Sequence, residues 1–209
     1  MSIFFTQSDL DIFKISGFKE RMSAIREKIR PKLEQFGEEV APALMTQFKA
    51  EFFPHTAKHM RQKVNPPDET WVAVGPRSRG YKAYIYFSLC IGKKGIQARV
   101  VMKDESNDRQ VLGENLVKNI PFFLKRSADF KNLADYTRRD ENYLPKYTHH
   151  LEEDLAMTAD RLQNLKSATF DVGYELPATH KNIQQVFLKA VDLLYPFYAC
   201  GLQAGVKLR

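Results

Sequence analysis

KAYIYFSLCIGKKGIQARVVMK, residues 82–103, sets the architecture of this chain. From Lys82 to Ile91 the side chains alternate, with Ile85, Phe87, Leu89 and Ile91 on one face and Tyr84, Tyr86, Ser88 and Cys90 on the other. From Ile96 to Lys103 they alternate again, Ile96, Ala98, Val100 and Met102 lying opposite Gln97, Arg99, Val101 and Lys103. Gly92-Lys93-Lys94-Gly95 between them has hairpin turn chemistry. Two strands joined this tightly are antiparallel, so the sheet that holds them cannot be all-parallel.

Toward the N-terminus, Trp71 to Val74 reads as a short strand, preceded by Asn65-Pro66-Pro67-Asp68. Two prolines in a row push their neighbours to extended geometry and exclude a helix there. Phe52 to Val64 fits either a helical turn or a loop. Further back, Met22, Ile25, Ile29, Leu33, Phe36 and Val40 recur at helical spacing from Phe18 onward. Their flanks alternate Lys and Arg with Glu, the pattern of a solvated helix face. Pro31 lies inside this run and predicts a kink or two helices end to end. Ser8 with Asp11 resembles a capping box, placing a short helix near Asp9.

Toward the C-terminus, Leu112, Leu116 and Ile120 mark a helix that Pro121 ends or bends, and Phe122 to Leu133 fits strand or helix. Thr148 can cap a helix to about Leu165, with Leu151, Leu155, Ala159 and Leu162 as its core stripe. Thr169 to Leu176 alternates as a strand, with Phe170, Val172, Tyr174 and Leu176 inward. Thr179 can cap a last helix with the stripe Ile183, Phe187, Ala190, Leu194 and Tyr198. These elements make an α+β protein: a single, mostly antiparallel sheet with a central β-hairpin, covered by several helices. No repeat or linker divides residues 1–209, so one domain is expected.

Composition narrows the class. With 44% hydrophobic and 27% charged residues the chain is globular, and a net charge of +7 favours anionic partners. Cys90 and Cys200 lack the spacing of a zinc ribbon or a disulfide framework and fit a reducing cytosol. No run has the length of a membrane span, and acidic residues follow the first few apolar ones too soon for a signal segment.

Two histidine sets invite a metal reading. His55 and His59 are four apart, which on a helix puts both rings on one face. The zinc-peptidase pattern needs Glu directly after the first His, and Thr56 stands there. His149 and His150 are adjacent, so on a helix they diverge by about 100°. With Glu152, Glu153 and Asp154 they read as a charged helix N-terminus. No metal and no cofactor is expected. The phosphate-loop, GxSxG and GxGxxG patterns are absent. Asp68 and Glu69, beside Trp71, are a carboxylate pair whose plain reading is a turn cap.

The bases carry more. Lys58, Arg61, Lys63, Arg77, Arg79 and Lys82 surround the proline pair and the glycine-bounded loop Gly75-Pro76-Arg77-Ser78-Arg79-Gly80. Such a loop lets backbone amides approach an anion while arginines supply bidentate donors. Tyr84, Tyr86 and Arg99 on one strand face would then offer a stacking wall.

These residues also carry a family resemblance. DIFKISGFKERM, IRPKLEQFGEE, FPHTAKHMRQKVNPPDETWVAV, RGYK and the closing YPFYA are similar to the YktB-like proteins of Gram-positive bacteria, a family of unknown function. The family's pattern falls on His55, Ala57, Lys58, His59 and Arg61, then Asn65, Pro66 and Pro67, then Thr70 to Ala73, then Arg79 to Lys82. Glu69 stands where the family usually has Asp, and AYIYFSLCI replaces a strand that elsewhere carries a His and a Gln. The resemblance implies a compact cytosolic α+β protein and implies no activity.

The expected function is a binding or regulatory module for an anionic, phosphate-bearing ligand, either a small molecule or nucleic acid. His55, Lys58, His59, Arg61, Arg77, Arg79 and Lys82 would hold it. Two alternatives stand beside this. One is a hydrolase-type enzyme using His55 or His59 as base or metal ligand with Asp68 orienting it; the other is a protein-binding module.

Overall fold

A computed structural model describes residues 5–60, 64–137, 150–178 and 180–208. The fold is α+β. Strands β1 (Phe53–Thr56), β2 (Glu69–Gly75), β3 (Tyr86–Gly92), β4 (Gly95–Met102), β5 (Ala134–Asp135) and β6 (Phe170–Leu176) form one antiparallel sheet in the order β1-β2-β3-β4-β6-β5. The expected hairpin is β3–β4, and it occupies the middle of that order. Its strands are buried on both faces: Tyr86 and Arg99 are 1% and 3% exposed. The stacking wall expected of Tyr86 and Arg99 is therefore corrected, because that face is covered and not offered to solvent.

The N-terminal helices follow the apolar period. Helix α1 (Gln7–Asp11) begins two residues earlier than Ser8 and Asp11 suggest, because the cap is Thr6 with Asp9. The Thr6 N–H donates to Asp9 Oδ2 at 2.7 Å, and Lys32 Nζ pairs with the same oxygen at 2.7 Å. A partner far along the chain thus selects the capping carboxylate. Helix α2 (Phe18–Ala24) runs through a widened π turn (Ile25–Ile29) into α3 (Arg30–Phe48). Pro31 has no N–H for the Glu27 carbonyl and its ring presses on that turn; the widened turn absorbs the conflict without ending the helix. Pro42 also lies inside α3.

The backbone groups into two compact units. The first comprises Met1–Ser78, Ser88–Ala98 and Glu175–Lys189. Here β1 pairs with β2 in the register Phe53↔Gly75 to Thr56↔Val72. Phe52 to Val64 is thus partly strand, where the sequence left helix and loop open. Since the Ala57 N–H bonds to the Trp71 carbonyl, the period of two turns the Pro54 nitrogen away from β2. The missing donor falls where no ladder bond is needed. An ideal Cβ on Gly37 of α3 would sit 2.7 Å from Pro54 Cβ and 2.8 Å from Val72 Cγ2, so glycine lets β1 and β2 approach the helix. Phe36 meets the Phe187 ring edge-on at 5.1 Å.

The second unit comprises Arg79–Phe87, Arg99–Tyr174 and Ala190–Arg209. Helix α4 (Arg109–Lys118) is followed by α5 (Ile120–Lys125), with Pro121 in the first turn of α5. Proline starts a helix there, its absent N–H being one that needs no partner. Phe122 to Leu133 is then helix, a 3-10 turn and the approach to β5. Helix α6 (Leu151–Asn164) buries its expected stripe, and α7 (Ile183–Cys200) buries Ile183, Phe187, Ala190, Leu194 and Tyr198. Thr148 and Thr179, the expected caps, lie outside the described residues. The core of this unit is aromatic: Phe123 stacks on Phe197 at 4.6 Å and Phe87 on Tyr198 at 4.5 Å. Among the described residues no helix is long and apolar enough to cross a membrane.

Candidate functional site

His55 sits on β1 opposite Ala73. Its Nε2 lies 2.8 Å from the Arg77 carbonyl oxygen. A carbonyl only accepts, so Nε2 carries the proton and donates. The bond ties the start of the Pro76–Gly80 loop to β1 through backbone, and the Arg77 side chain is exposed. The sequence places His55 and Arg77 in one anion set, and the structure brings them together, with the histidine serving the loop's main chain.

His59 is elsewhere. It follows the strand in a left-handed conformation, φ 49°, so no helix aligns it with His55. Its Nε2 is 3.0 Å from Thr70 Oγ1 and its ring meets Trp71 edge-on at 5.3 Å. Trp71 and Gly75 are four residues apart, roughly 13 Å of strand at about 3.3 Å per residue. The two histidines therefore serve opposite ends of the β1–β2 pair. The shared helix face on which a metal reading depends does not exist, because β1 is a strand. Lys58, between them in sequence, is exposed, and Arg61 lies outside the described residues. Among the described residues no group of three or more His, Cys, Asp or Glu is placed to hold a metal ion.

Asp68, the carboxylate the hydrolase reading needs, is held by other groups. Arg21 Nη1 approaches its Oδ1 at 3.3 Å and Lys93 Nζ approaches it at 2.9 Å. Arg21 is 4% exposed; it also donates to the Pro67 carbonyl at 3.1 Å and the Ile15 carbonyl at 2.6 Å. The proline loop is thus fastened by a buried guanidinium from α2. The Lys93 N–H donates to the Asp68 carbonyl at 2.9 Å. A Cβ on Gly92 would lie 2.4 Å from that carbonyl oxygen, so the hairpin turn needs glycine for this close approach. The sequence assigned Arg21 to a solvated face. The corrective signal is its spacing: it stands three residues after Phe18 and four before Ile25, inside the apolar stripe.

Arg79 and Lys82 belong to the second unit. Arg79 is exposed; Lys82 Nζ lies 3.9 Å from Glu105 Oε1, a surface contact of small energy. Arg99 is turned inward. Its guanidinium lies 3.5 Å from Asp171 Oδ2 and 4.1 Å over the Tyr136 ring, a buried pair with a stacked aromatic. His150 Nδ1 is 3.5 Å from Glu153 at the exposed start of α6, the charged helix end expected of it; His149 lies outside the described residues. Sequence reasoning also missed Asn115, buried on α4, and Asn119, buried at the cap of its C-terminal end. Their spacing of four beside Leu112 and Leu116 is the available signal.

The family model described as "Domain of unknown function (DUF1054)" matches residues 5–198. A UPF0637 protein of Bacillus cereus is 37% identical over 220 residues, covering 93% of this chain and 96% of its own. One from Bacillus mycoides is 37% identical over 189 residues, 82% of each chain, and one from Lysinibacillus sphaericus is 30% identical over 199 residues, 92% and 93%.

Proposed function

For a chain that belongs to the DUF1054 family, which the match over residues 5–198 and the UPF0637 relatives establish, we propose a binding or regulatory module for an anionic, phosphate-bearing ligand. The observation that carries this is the exposed basic loop Pro76–Gly80, held through the Arg77 carbonyl by His55. Arg77 and Arg79 are both exposed at the surface. Arginine presents its donors in a planar fork that matches phosphate oxygens in pairs. The net charge of +7 adds long-range attraction for such a ligand. Lys58 and Lys82 add to the chain's positive charge in this reading, and His59 has a different task beside Trp71. A cytosolic location is part of the same proposal, supported by two buried cysteines held as thiols, Cys90 and Cys200.

A thermal-shift titration tests it, using nucleotides, sugar phosphates and short single-stranded RNA and DNA. A ligand at about a hundred times its dissociation constant adds about 2.7 kcal/mol, which reads as a clear rise in Tm. The expected result is a rise that shrinks with added salt and disappears in Arg77→Ala/Arg79→Ala. A rise of equal size in the double variant removes the loop from the reading.

A further inference from the structure

Asn115 on α4 and Asn119, which caps its C-terminal end, stand one turn apart and are 0% and 3% exposed. Their amides read main chain. Asn115 Nδ2 donates to the Cys200 carbonyl at 2.8 Å and to the Gln203 carbonyl at 2.7 Å, and its Oδ1 accepts from the Gly205 N–H at 3.1 Å. Asn119 Nδ2 donates to the Val206 carbonyl at 2.8 Å and to the Asn115 carbonyl at 2.8 Å, while its Oδ1 accepts from the Leu208 N–H at 2.8 Å. All but one of these bonds end on the backbone of residues 200–208.

The segment they hold, Gly201–Leu208, turns through residues 201–205, with Gly205 left-handed at φ 76°, and continues as an open tail over Val206–Leu208. Leu202, Gln203, Ala204, Gly205 and Lys207 are exposed, whereas Val206 and Leu208 are half-buried on either side of Lys207. Donors and acceptors that read main chain, with the alternate side chains of the tail turned inward, are how proteins hold a peptide through its backbone. A site of this kind tolerates many sequences, since the backbone is common to all. Exposed side chains from Leu202 to Gly205 also give the segment little apolar surface to anchor it, a feature of segments that open on their own.

We infer that the Asn115–Asn119 face at the C-terminal end of α4 is a binding site for a peptide that turns at a glycine and then runs on as a short tail, and that Gly201–Leu208 is its resident ligand, a strap that leaves and returns while the rest of the unit stays folded. The ligand class is a peptide with a glycine turn followed by apolar residues at two alternate positions. The strap holds the site by effective concentration, being tethered to α7, and any rival peptide must outcompete it.

Two arms test this on the full chain. In hydrogen exchange, the Gly205 and Leu208 amides exchange at least about a hundredfold faster than the Leu116 amide, reporting a separate opening of the strap. In the second arm, Val206→Glu/Leu208→Glu loosens the strap and a fluorescein-labelled peptide GLQAGVKL is titrated in. Saturable binding is expected, at least about tenfold tighter than to the wild-type chain, whose own strap competes. Adding Asn119→Asp, which turns a carboxylate oxygen toward the Val206 carbonyl, abolishes it. Exchange of Gly205 and Leu208 in step with Leu116 overturns the inference. So does a loosened variant with the wild-type circular dichroism spectrum that ignores the peptide. If the loosened variant does not fold, the exchange arm decides.

Discussion

Arg21 shows how much one residue's role depends on partners far away in sequence. Its guanidinium, 4% exposed, satisfies two carbonyls and one carboxylate oxygen. Removing it leaves the Pro67 and Ile15 carbonyls without their donor. Arg21→Met is expected to cost about 2–3 kcal/mol, the range for hydrogen bonds to a charged group, read as a lower urea midpoint at unchanged slope. Asp68→Asn should cost under about 1 kcal/mol, because that carboxylate is 63% exposed and surface pairs are weak. Equal losses in the two variants would show that the carboxylate, and not the carbonyl bonds, fastens the loop. The sequence marked Arg21 only as a charge among charges; its stripe position was legible, but the partners awaiting it were not.

At the scale of elements, the close approach of α3 to β1 and β2 turns on Gly37. Alanine there gains about 1 kcal/mol of helix propensity. It also places a methyl 2.7 Å from Pro54 Cβ, and overpacking of this kind costs about 1–3 kcal/mol. The clash wins, because both neighbours are themselves held in the ladder, so Gly37→Ala is expected to lower Tm; a higher Tm would mean that the strands yield. The Pro76–Gly80 loop offers a second check. His55→Ala removes the bond to the Arg77 carbonyl, so limited trypsin should cut after Arg77 or Arg79 several-fold faster than in the wild type. Unchanged cleavage would mean the loop is held by something other than His55. The β3–β4 hairpin was readable from alternation and turn residues alone. β1 was not, because four residues containing a proline carry too little pattern to tell strand from loop.

For the whole molecule, burial of weak acids predicts a loss of stability at alkaline pH. Burial pushes the Cys200 thiol up to about 12 and raises the phenols of Tyr174 and Tyr198 well above their ordinary range, with Asp129 and Tyr195 adding to the respective phenols. In the unfolded chain the thiol ionises near about 8.5 and the phenols near about 10. Above those values the folded form holds more protons than the unfolded form, so stability falls as pH rises. The contribution is complete below about pH 8 and lost progressively through about pH 12. A series of melting curves from pH 8 to 11 should show falling Tm, flattened in Tyr198→Phe. A level Tm across that range would place these groups in contact with water.

What the order of residues decides here is local and periodic. Helical stripes, the alternation of β3, β4 and β6, and the turn at Gly92–Gly95 each follow from spacings within a few residues, and they suffice for an α+β fold around a central hairpin. Families of charge and histidine are equally visible as candidates. Their assignment is not local. Whether a cation is buried like Arg21 and Arg99 or exposed like Arg77 and Arg79 depends on which acceptors lie across the fold. His55 and His59 part company because β1 is a strand whose register is set by β2, a pairing energy that no window of sequence contains. Asn115 and Asn119 likewise acquire most of their partners when the chain returns to them 85 residues or more later. Periodicity is written in neighbours; polar partnership is decided by desolvation, which becomes definite when distant segments meet.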